Sequence, residues 1–247
     1  MPTLISDLDG VVYLGDHEVA GSGAALRRFH SAGWRLVFCT NNSSRTPVAS
    51  SDKIERVTGF RTEPGTIITS AIAAASLIPP DSRVYVLGGH GLVDAVTRRG
   101  CSVVGGGEPA DVVVVGLDLD LTYQRLSGAV LALERGATFI ASNHDPTYPT
   151  REGLRPGAGA IVAAVATAAG REPRFAGKPH EPMRSLLKAR TEGHVWIVGD
   201  RDDTDLAMGR AEGWDTALVL SGVSKGESQP VSLTAPDLSA VADALLS

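Results

Sequence analysis

The length, composition and charge of the chain exclude several classes of protein. Its 247 residues are enough for one large domain or two smaller ones, and 43% hydrophobic with 21% charged residues is typical of a globular protein with a buried core. A net charge of −5 offers no basic surface for nucleic acid, no window is apolar enough for a membrane span, and the amino terminus lacks a secretory signal, so we expect a cytoplasmic protein.

Short apolar runs alternate with amphipathic stretches along the chain. Strands are predicted, in chain order, at residues 3–6, 34–39, 83–87, 111–116, 138–142, 195–198 and 217–220. Helices are predicted at residues 23–32, 48–57, 71–78, 123–135, 160–169, 204–212 and 237–246. Strands that alternate with helices form βαβ units, so the pattern predicts an α/β fold with doubly wound parallel sheets.

Two breaks in the pattern predict that the chain is divided. Pro79 and Pro80 interrupt it after the helix predicted at residues 71–78, and a second break comes near residues 170–173. We therefore expect residues 81–172 to form an inserted α/β domain. Residues 1–80 and 173–247 would then form one discontinuous core.

A pair of acids follows the first predicted strand directly. Asp7 and Asp9 lie two residues apart, and such residues in an extended segment point to the same side, so both carboxylates can face one pocket. Adjacent acids repel one another, which favours a bound cation or protonation of one member. Either outcome suits phosphoryl chemistry, in which one acid attacks and the other carries a proton. The alternative is a solvated turn, with Gly10 providing the bend.

A cluster of small polar side chains follows the second predicted strand. Thr40, Asn41 and Asn42 would lie at its carboxyl end, the edge at which open α/β sheets bind ligands. Their hydroxyl and amide groups can donate hydrogen bonds to phosphate oxygens, although a simple helix-entry turn has the same composition. Lys178, between a glycine and a proline, offers an ammonium that can neutralise phosphate charge, or it is a surface lysine in a turn.

An acid-rich segment follows the strand predicted at residues 195–198. Asp200 stands at the end of that strand, and Asp205 lies about one helical turn further on. Carboxylate oxygens are the ligands that Mg²⁺ prefers, whereas a helix amino terminus also favours acids without any metal. All these clusters follow predicted strands, and a doubly wound sheet would bring them to one edge.

In this order the residues resemble the four motifs of the haloacid dehalogenase (HAD) superfamily. The matching residues are Asp7-x-Asp9-Gly10, Thr40, Lys178 and Gly199-Asp200-x-x-x-Thr204-Asp205. Residues 40–43, 69–71, 113–118, 142–146, 156–159 and 177–179 are similar to the NagD-like, p-nitrophenyl-phosphatase-like branch. The resemblance implies a Rossmann-like catalytic core with an inserted α/β cap, and the activity of a phosphoric monoester hydrolase.

The resemblance also implies roles for these residues. Asp7 would be the nucleophile that forms an aspartyl-phosphate, and Asp9 the general acid and then the base that activates water. The phosphate would be held by Thr40, Asn41, Asn42 and Lys178. Mg²⁺ would bind the carboxylates of Asp7 and Asp200 and the backbone carbonyl of Asp9, with Asp205 supporting these ligands from outside.

The cap is expected to select the leaving group. Asn143, His144, Asp145 and the loop at residues 157–159 are the candidates for its substrate-facing edge, and the alternative for His144 is an exposed loop histidine. For this branch the substrate would be a small phosphate ester: a nucleotide, sugar phosphate, pyridoxal phosphate, phosphoglycolate or glycerol phosphate. A homodimer through the cap is also expected.

Two other functions use related chemistry. A phosphomutase would return the phosphate to its substrate, but its cap typically lies between the first two motifs, where about 30 residues are too few. A phosphate-accepting signalling domain lacks the second acid two residues after the acceptor and has no cap. Asp9 and the insertion at residues 81–172 therefore favour a phosphatase.

Overall fold

Two parallel sheets form the framework of the structure, a computed structural model that describes residues 1–150, 152–223 and 229–247. The strands are Thr3–Ser6 (β1), Tyr13–Leu14 (β2), His17–Glu18 (β3), Arg35–Thr40 (β4), Ile67–Thr69 (β5), Arg83–Leu87 (β6), Ser102–Val104 (β7), Val112–Val115 (β8), Thr138–Ala141 (β9), Thr147–Thr150 (β10), Gly153–Pro156 (β11), Arg174–Phe175 (β12), Val195–Gly199 (β13), Asp215–Val219 (β14) and Leu233–Ala235 (β15). The helices are Ser22–Ser31 (α1), Pro47–Thr58 (α2), Ser70–Ser76 (α3), His90–Arg98 (α4), Tyr123–Glu134 (α5), Ala158–Ala169 (α6), Glu181–Lys188 (α7), Ala207–Glu212 (α8) and Leu238–Leu245 (α9), with a 3₁₀ turn at Pro64–Thr66 and a π-helical turn at Asp202–Leu206. The α/β fold class expected from the sequence is confirmed. Within the described ranges, no helix combines the length and apolar character needed to cross a membrane.

The larger sheet places β1 between two neighbours that also carry site residues. Across the described chain its order is β15-β14-β13-β1-β4-β5, and every neighbouring pair is parallel. Ser6, the last residue of β1, is level with Phe38 of β4 and Val198 of β13. The residues that follow these three strands therefore emerge side by side at one edge.

The second sheet is built from the expected insertion and a short strand beyond it. Its order is β12-β9-β8-β6-β7, again with parallel pairs, and a separate antiparallel hairpin joins β10 to β11. Arg174 and Phe175 pair with Ile140 and Ala141, so this sheet extends two or three residues past the expected boundary at residue 172. We propose that the two sheets mark a catalytic core and a cap.

One apolar cluster spans both sheets. It contains Ile5 and Ile197 of the larger sheet together with Val84, Val112 and Ile140 of the second, all buried. Relative motion of two domains is the default unless their interface is large and hydrophobic. This shared cluster therefore favours a cap that stays docked on the core.

A buried hydroxyl links the two sheets beside the cleft. Ser43, which follows β4, accepts hydrogen bonds from the backbone nitrogen of Leu117 at 3.1 Å and from the Ser142 hydroxyl at 3.3 Å. Next to it, the backbone nitrogen of Gly91 donates to the Ser44 carbonyl at 3.0 Å. The segment after β4 is thus fixed by residues of the second sheet.

Local sequence signals set several helix boundaries. Thr46 caps α2 by accepting from the backbone nitrogen of Ala49 at 3.1 Å, and Gly59 ends that helix at φ 66°. Thr122 caps α5 in the same way. The helix predicted at residues 204–212 is instead divided between the π-helical turn at Asp202–Leu206 and α8 at Ala207–Glu212.

We predict that the Ser43 link contributes measurably to stability. Ser43→Ala leaves the Leu117 nitrogen buried without its acceptor, so the free energy of unfolding should fall by about 1–3 kcal/mol. Chemical denaturation monitored by circular dichroism measures the loss. The exposed control Ser185→Ala should stay within about 0.5 kcal/mol of the wild type. Equal stability of both variants would show that Ser43 does not hold the sheets together.

Candidate active site

Three buried carboxylates converge at the edge of the larger sheet. Asp7 follows β1, Asp200 follows β13, and Asp205 lies in the π-helical turn just beyond. One oxygen from each lies within 4.8 Å of the others. The sequence predicted this convergence, since the carboxyl ends of neighbouring parallel strands share an edge.

Lys178 compensates two of these acids. Its Nζ lies 2.8 Å from Asp7 Oδ1 and 2.7 Å from Asp205 Oδ1, and its side chain is only 2% exposed. Burial lowers the pKa of Lys178, but the negative charges of Asp205 and Asp7 together raise it by more than burial lowers it. The pKa of Lys178 therefore lies well above its ordinary value. The lysine therefore carries its charge inside the site.

The acids together exceed the charge that Lys178 neutralises. Burial raises the pKa of Asp7 to about 7, with Lys178 opposing the rise, and raises that of Asp205 similarly to about 7. The pKa of Asp200 rises to about 6 through burial and the charge of Asp205. A group of acids whose pKa values are all raised favours an additional cation.

Asp205 and Asp7 differ in how many of their carboxylate oxygens accept hydrogen bonds. Both oxygens of Asp205 are engaged, Oδ1 by Lys178 and Oδ2 by the Thr204 hydroxyl at 3.2 Å. Asp7 uses Oδ1 to accept from Lys178 and from the backbone nitrogen of Leu8 at 2.7 Å. The structure thus leaves Asp7 Oδ2 better placed than either Asp205 oxygen to bind a ligand.

Glycines leave space around the Asp200 carboxylate. A Cβ at Gly10 would lie 2.4 Å from Asp200 Oδ2, and one at Gly222 would lie 2.0 Å from it. Gly10 also has φ 90°, which side-chain-bearing residues rarely adopt. The same oxygen accepts from the Val223 backbone nitrogen at 2.7 Å, which fixes its orientation. Glycine at both positions is therefore needed for this acid to face the site.

The residues of the polar cluster after β4 make two different sets of contacts. Thr40 Oγ1 accepts from the Asn42 backbone nitrogen at 3.0 Å, and both residues line the cleft. Asn41 instead exchanges hydrogen bonds with the backbone of Lys178: its Oδ1 accepts at 2.8 Å and its Nδ2 donates at 3.2 Å. Its Nδ2 also donates to Asp145 at 3.1 Å. The Asn41 side chain therefore fixes the lysine segment. Asn41 also lines the cleft, and its expected role in binding phosphate stays a prediction.

The three cap candidates do not share one face. Asn143 and Asp145 line the cleft, and Asn143 Nδ2 donates to the Asn41 carbonyl at 2.6 Å. His144 lies outside this lining and packs edge-on against Phe175 and His180. The structure thus brings two of the three candidates to the cleft.

Four cleft residues were not singled out in the sequence. They are Thr147, Tyr148, Arg201 and Val223. The cleft is also lined by Leu117, Gly157, Ala158 and Thr204, which belong to the segments that resemble the family. Tyr148 lies in the unpredicted β10–β11 hairpin, where strict alternation of side chains could have indicated it. Arg201 pairs with both oxygens of Asp203, at 3.1 and 3.0 Å, and its position directly after Asp200 was the available signal.

Comparison with known proteins identifies the family of the chain. Residues 4–102 match haloacid dehalogenase-like hydrolases, and residues 175–246 match a second family description, HAD-hydrolase-like. The acid sugar phosphatase of Staphylococcus epidermidis is 38% identical over 227 residues, which cover 90% of this chain and 87% of that protein.

Solved structures agree with this assignment. The glycerol phosphate phosphatase of Mycobacterium tuberculosis in complex with magnesium matches with a TM-score of 0.86 and 33% identity, covering 97% of this chain and 75% of that chain. The p-nitrophenyl phosphatase of Archaeoglobus fulgidus matches with a TM-score of 0.89 and 28% identity over 98% of each chain. The chain therefore belongs to the haloacid dehalogenase-like hydrolases, among the phosphatases of that family.

Proposed function

We propose that this chain is a Mg²⁺-dependent phosphatase that hydrolyses a small phosphate monoester through an aspartyl-phosphate on Asp7. The observation that carries the proposal is the Asp7 carboxylate at the floor of the cleft, with one oxygen held by Lys178 and the other unengaged by any described contact. A fixed carboxylate of this kind can attack phosphorus in line with the leaving group.

The donor set fits a magnesium ion. Asp7 and Asp200 supply hard carboxylate oxygens, and Gly10 and Gly222 allow the Asp200 carboxylate to pack against the backbone beside them. The backbone carbonyl of Asp9 is the proposed third ligand. Asp205 would support the set without binding, because both its oxygens already accept hydrogen bonds. Bound there, the ion would offset phosphate charge and help to orient the ester.

Hydrolysis takes place in two chemical steps, and each site residue has a role in one or both of them. Asp7 attacks phosphorus, the ester P–O bond breaks, and the departing oxygen takes a proton from Asp9. In the second step Asp9 removes a proton from water, which attacks the phosphorus and releases Asp7. Thr40, Asn42 and Lys178 hold the phosphate oxygens through both steps, and the ammonium neutralises their charge.

The size of the cleft and the comparisons support a small ester as the substrate. The cavity volume is about 90 Å³, and Asp145, Tyr148 and Arg201 are among its lining residues. The relatives are named as an acid sugar phosphatase, a glycerol phosphate phosphatase and a p-nitrophenyl phosphatase, so a compact sugar or polyol phosphate is the proposed substrate class. The homodimer expected from the sequence stays a prediction.

The first prediction tests covalent catalysis. Asp7→Asn should abolish hydrolysis of p-nitrophenyl phosphate, because an amide is a poor nucleophile. Asp9→Asn should lose the proton transfer, typically worth about 10²–10⁴-fold, and should therefore accumulate phosphoenzyme that acid quenching and mass spectrometry detect. The exposed control Asp16→Asn should retain activity. Turnover by Asp7→Asn would rule out this mechanism.

The second prediction tests the metal site. Chelation should stop turnover, and Mg²⁺ should restore it. Because the ion binds the folded chain, Mg²⁺ at 100 times its dissociation constant should stabilise the chelated protein by about 2.7 kcal/mol. Asp200→Asn should lose both effects, whereas the exposed Asp243→Asn should keep them. Full activity after exhaustive chelation would contradict the proposal, as would a thermal shift that Asp200→Asn preserves.

The third prediction separates leaving-group selection from phosphate binding. Tyr148→Ala should change the ranking of kcat/KM across a panel of phosphate esters, because Tyr148 lines the outer cleft. His144→Ala should leave the ranking unchanged, since its ring packs on Phe175 and His180. Thr40→Ala should lower the rates for every ester alike. A uniform loss from Tyr148→Ala would place selection elsewhere in the cap.

A further inference from the structure

Lys53 is a buried cation that the mechanism above does not use. It lies in α2, is only 5% exposed, and has its Nζ 3.7 Å from the centroid of the Tyr13 ring. An ammonium out of water needs compensation, and the face of an aromatic ring provides part of it. Neither residue is among those that line the cleft. We therefore expect the pair to act on the site through its neighbours.

The Tyr13 ring belongs to the turn that carries Asp9. The Gly10 backbone nitrogen donates to the Tyr13 carbonyl at 2.8 Å, and the Tyr13 nitrogen donates to the Leu8 carbonyl at 3.2 Å. Asp9 and Tyr13 also form an isolated bridge between their backbones. A change in the position of Tyr13 should therefore change the position of Asp9, because short backbone contacts join the two residues.

Lys53 also lies close enough to feel the charge of the same acid. Burial lowers the pKa of Lys53, and Asp9 is the largest charge that opposes that change. Lys178, by contrast, lies in contact with Asp7 and Asp205.

We propose that Lys53 is a positioning residue that acts through Tyr13 to hold the Asp9 carboxyl on the leaving-group side of the cleft. The proposal rests on the proposed function, because it assigns Asp9 the proton transfer described above. Two buried lysines then serve two groups of acids. Lys178 holds the nucleophile, and Lys53 keeps the proton donor apart from the carboxylates of Asp7, Asp200 and Asp205.

The proton-transfer step gives this role a distinctive readout. As the Asp7–phosphorus bond forms and the ester bond breaks, an alkyl leaving group needs the Asp9 proton to depart as an alcohol. A p-nitrophenolate leaves readily without it. Displacement of Asp9 should therefore slow alkyl esters far more than p-nitrophenyl phosphate. A loss of fold or of phosphate binding would slow both kinds of ester equally.

The test compares kcat/KM for p-nitrophenyl phosphate with that for glycerol 3-phosphate and glucose 6-phosphate. In Lys53→Met, which keeps the length of the side chain without its charge, the alkyl esters should lose about 10–100-fold, part of the contribution of a general acid. p-Nitrophenyl phosphate should lose less than about threefold. Lys53→Arg should restore most of the difference, and the exposed Lys188→Met should show none.

Thermal unfolding of each variant shows whether it is folded under the assay conditions. If Lys53→Met does not fold, Tyr13→Leu carries the same test, because it removes the ring through which Lys53 acts. Equal losses for aryl and alkyl esters in a folded variant would overturn the positioning role while leaving the phosphatase intact. If the wild type with Mg²⁺ hydrolysed no ester, the proposed function would fail, and the inference with it.

Discussion

The rest of the site depends on the ion pairs that the buried Lys178 ammonium forms with Asp7 and Asp205. Removing one partner of a buried charge pair leaves an uncompensated charge, which is far more costly than losing a surface pair. Asp7 and Asp205 both need this cation, and the lysine segment is in turn held by the side chain of Asn41. The segment after β4 and the loop that carries Lys178 are therefore held together beside Asp7.

Much of this site could be predicted from the sequence because its acids directly follow strands. Asp7 and Asp200 end neighbouring parallel strands, so their convergence needs only the rule that such strands share an edge. The contacts of Asn41 and Asp205 could not be derived in this way. They depend on which buried donor lies within hydrogen-bond distance, and strand periodicity carries no information about the loop that brings Lys178 to them.

The side-chain directions after β9 could not be derived from strand alternation. Asn143 and Asp145 line the cleft while His144 packs against Phe175. These residues lie in a turn beyond the strand, in which the Asp145 backbone nitrogen donates to Asn143 Oδ1 at 3.1 Å. The fold was predictable in its class and in most helices. The elements that were not predicted are α4, α7 and the strands β2, β3, β5, β7, β10, β11, β12 and β15, and strands of two to four residues give periodicity little to specify.

The apolar cluster that joins the two sheets restricts how the chain can be re-engineered. Exchanging the whole of the proposed cap with that of a relative would replace the part of the cluster that includes Val84 and keep the part that includes Ile5, and the new side chains would have to match a volume selected for the old ones. The β10–β11 hairpin contributes Tyr148 to the cleft, and none of its described residues belongs to that cluster. Under the role proposed for Tyr148, grafting the hairpin alone would introduce new leaving-group specificity without repacking the interior.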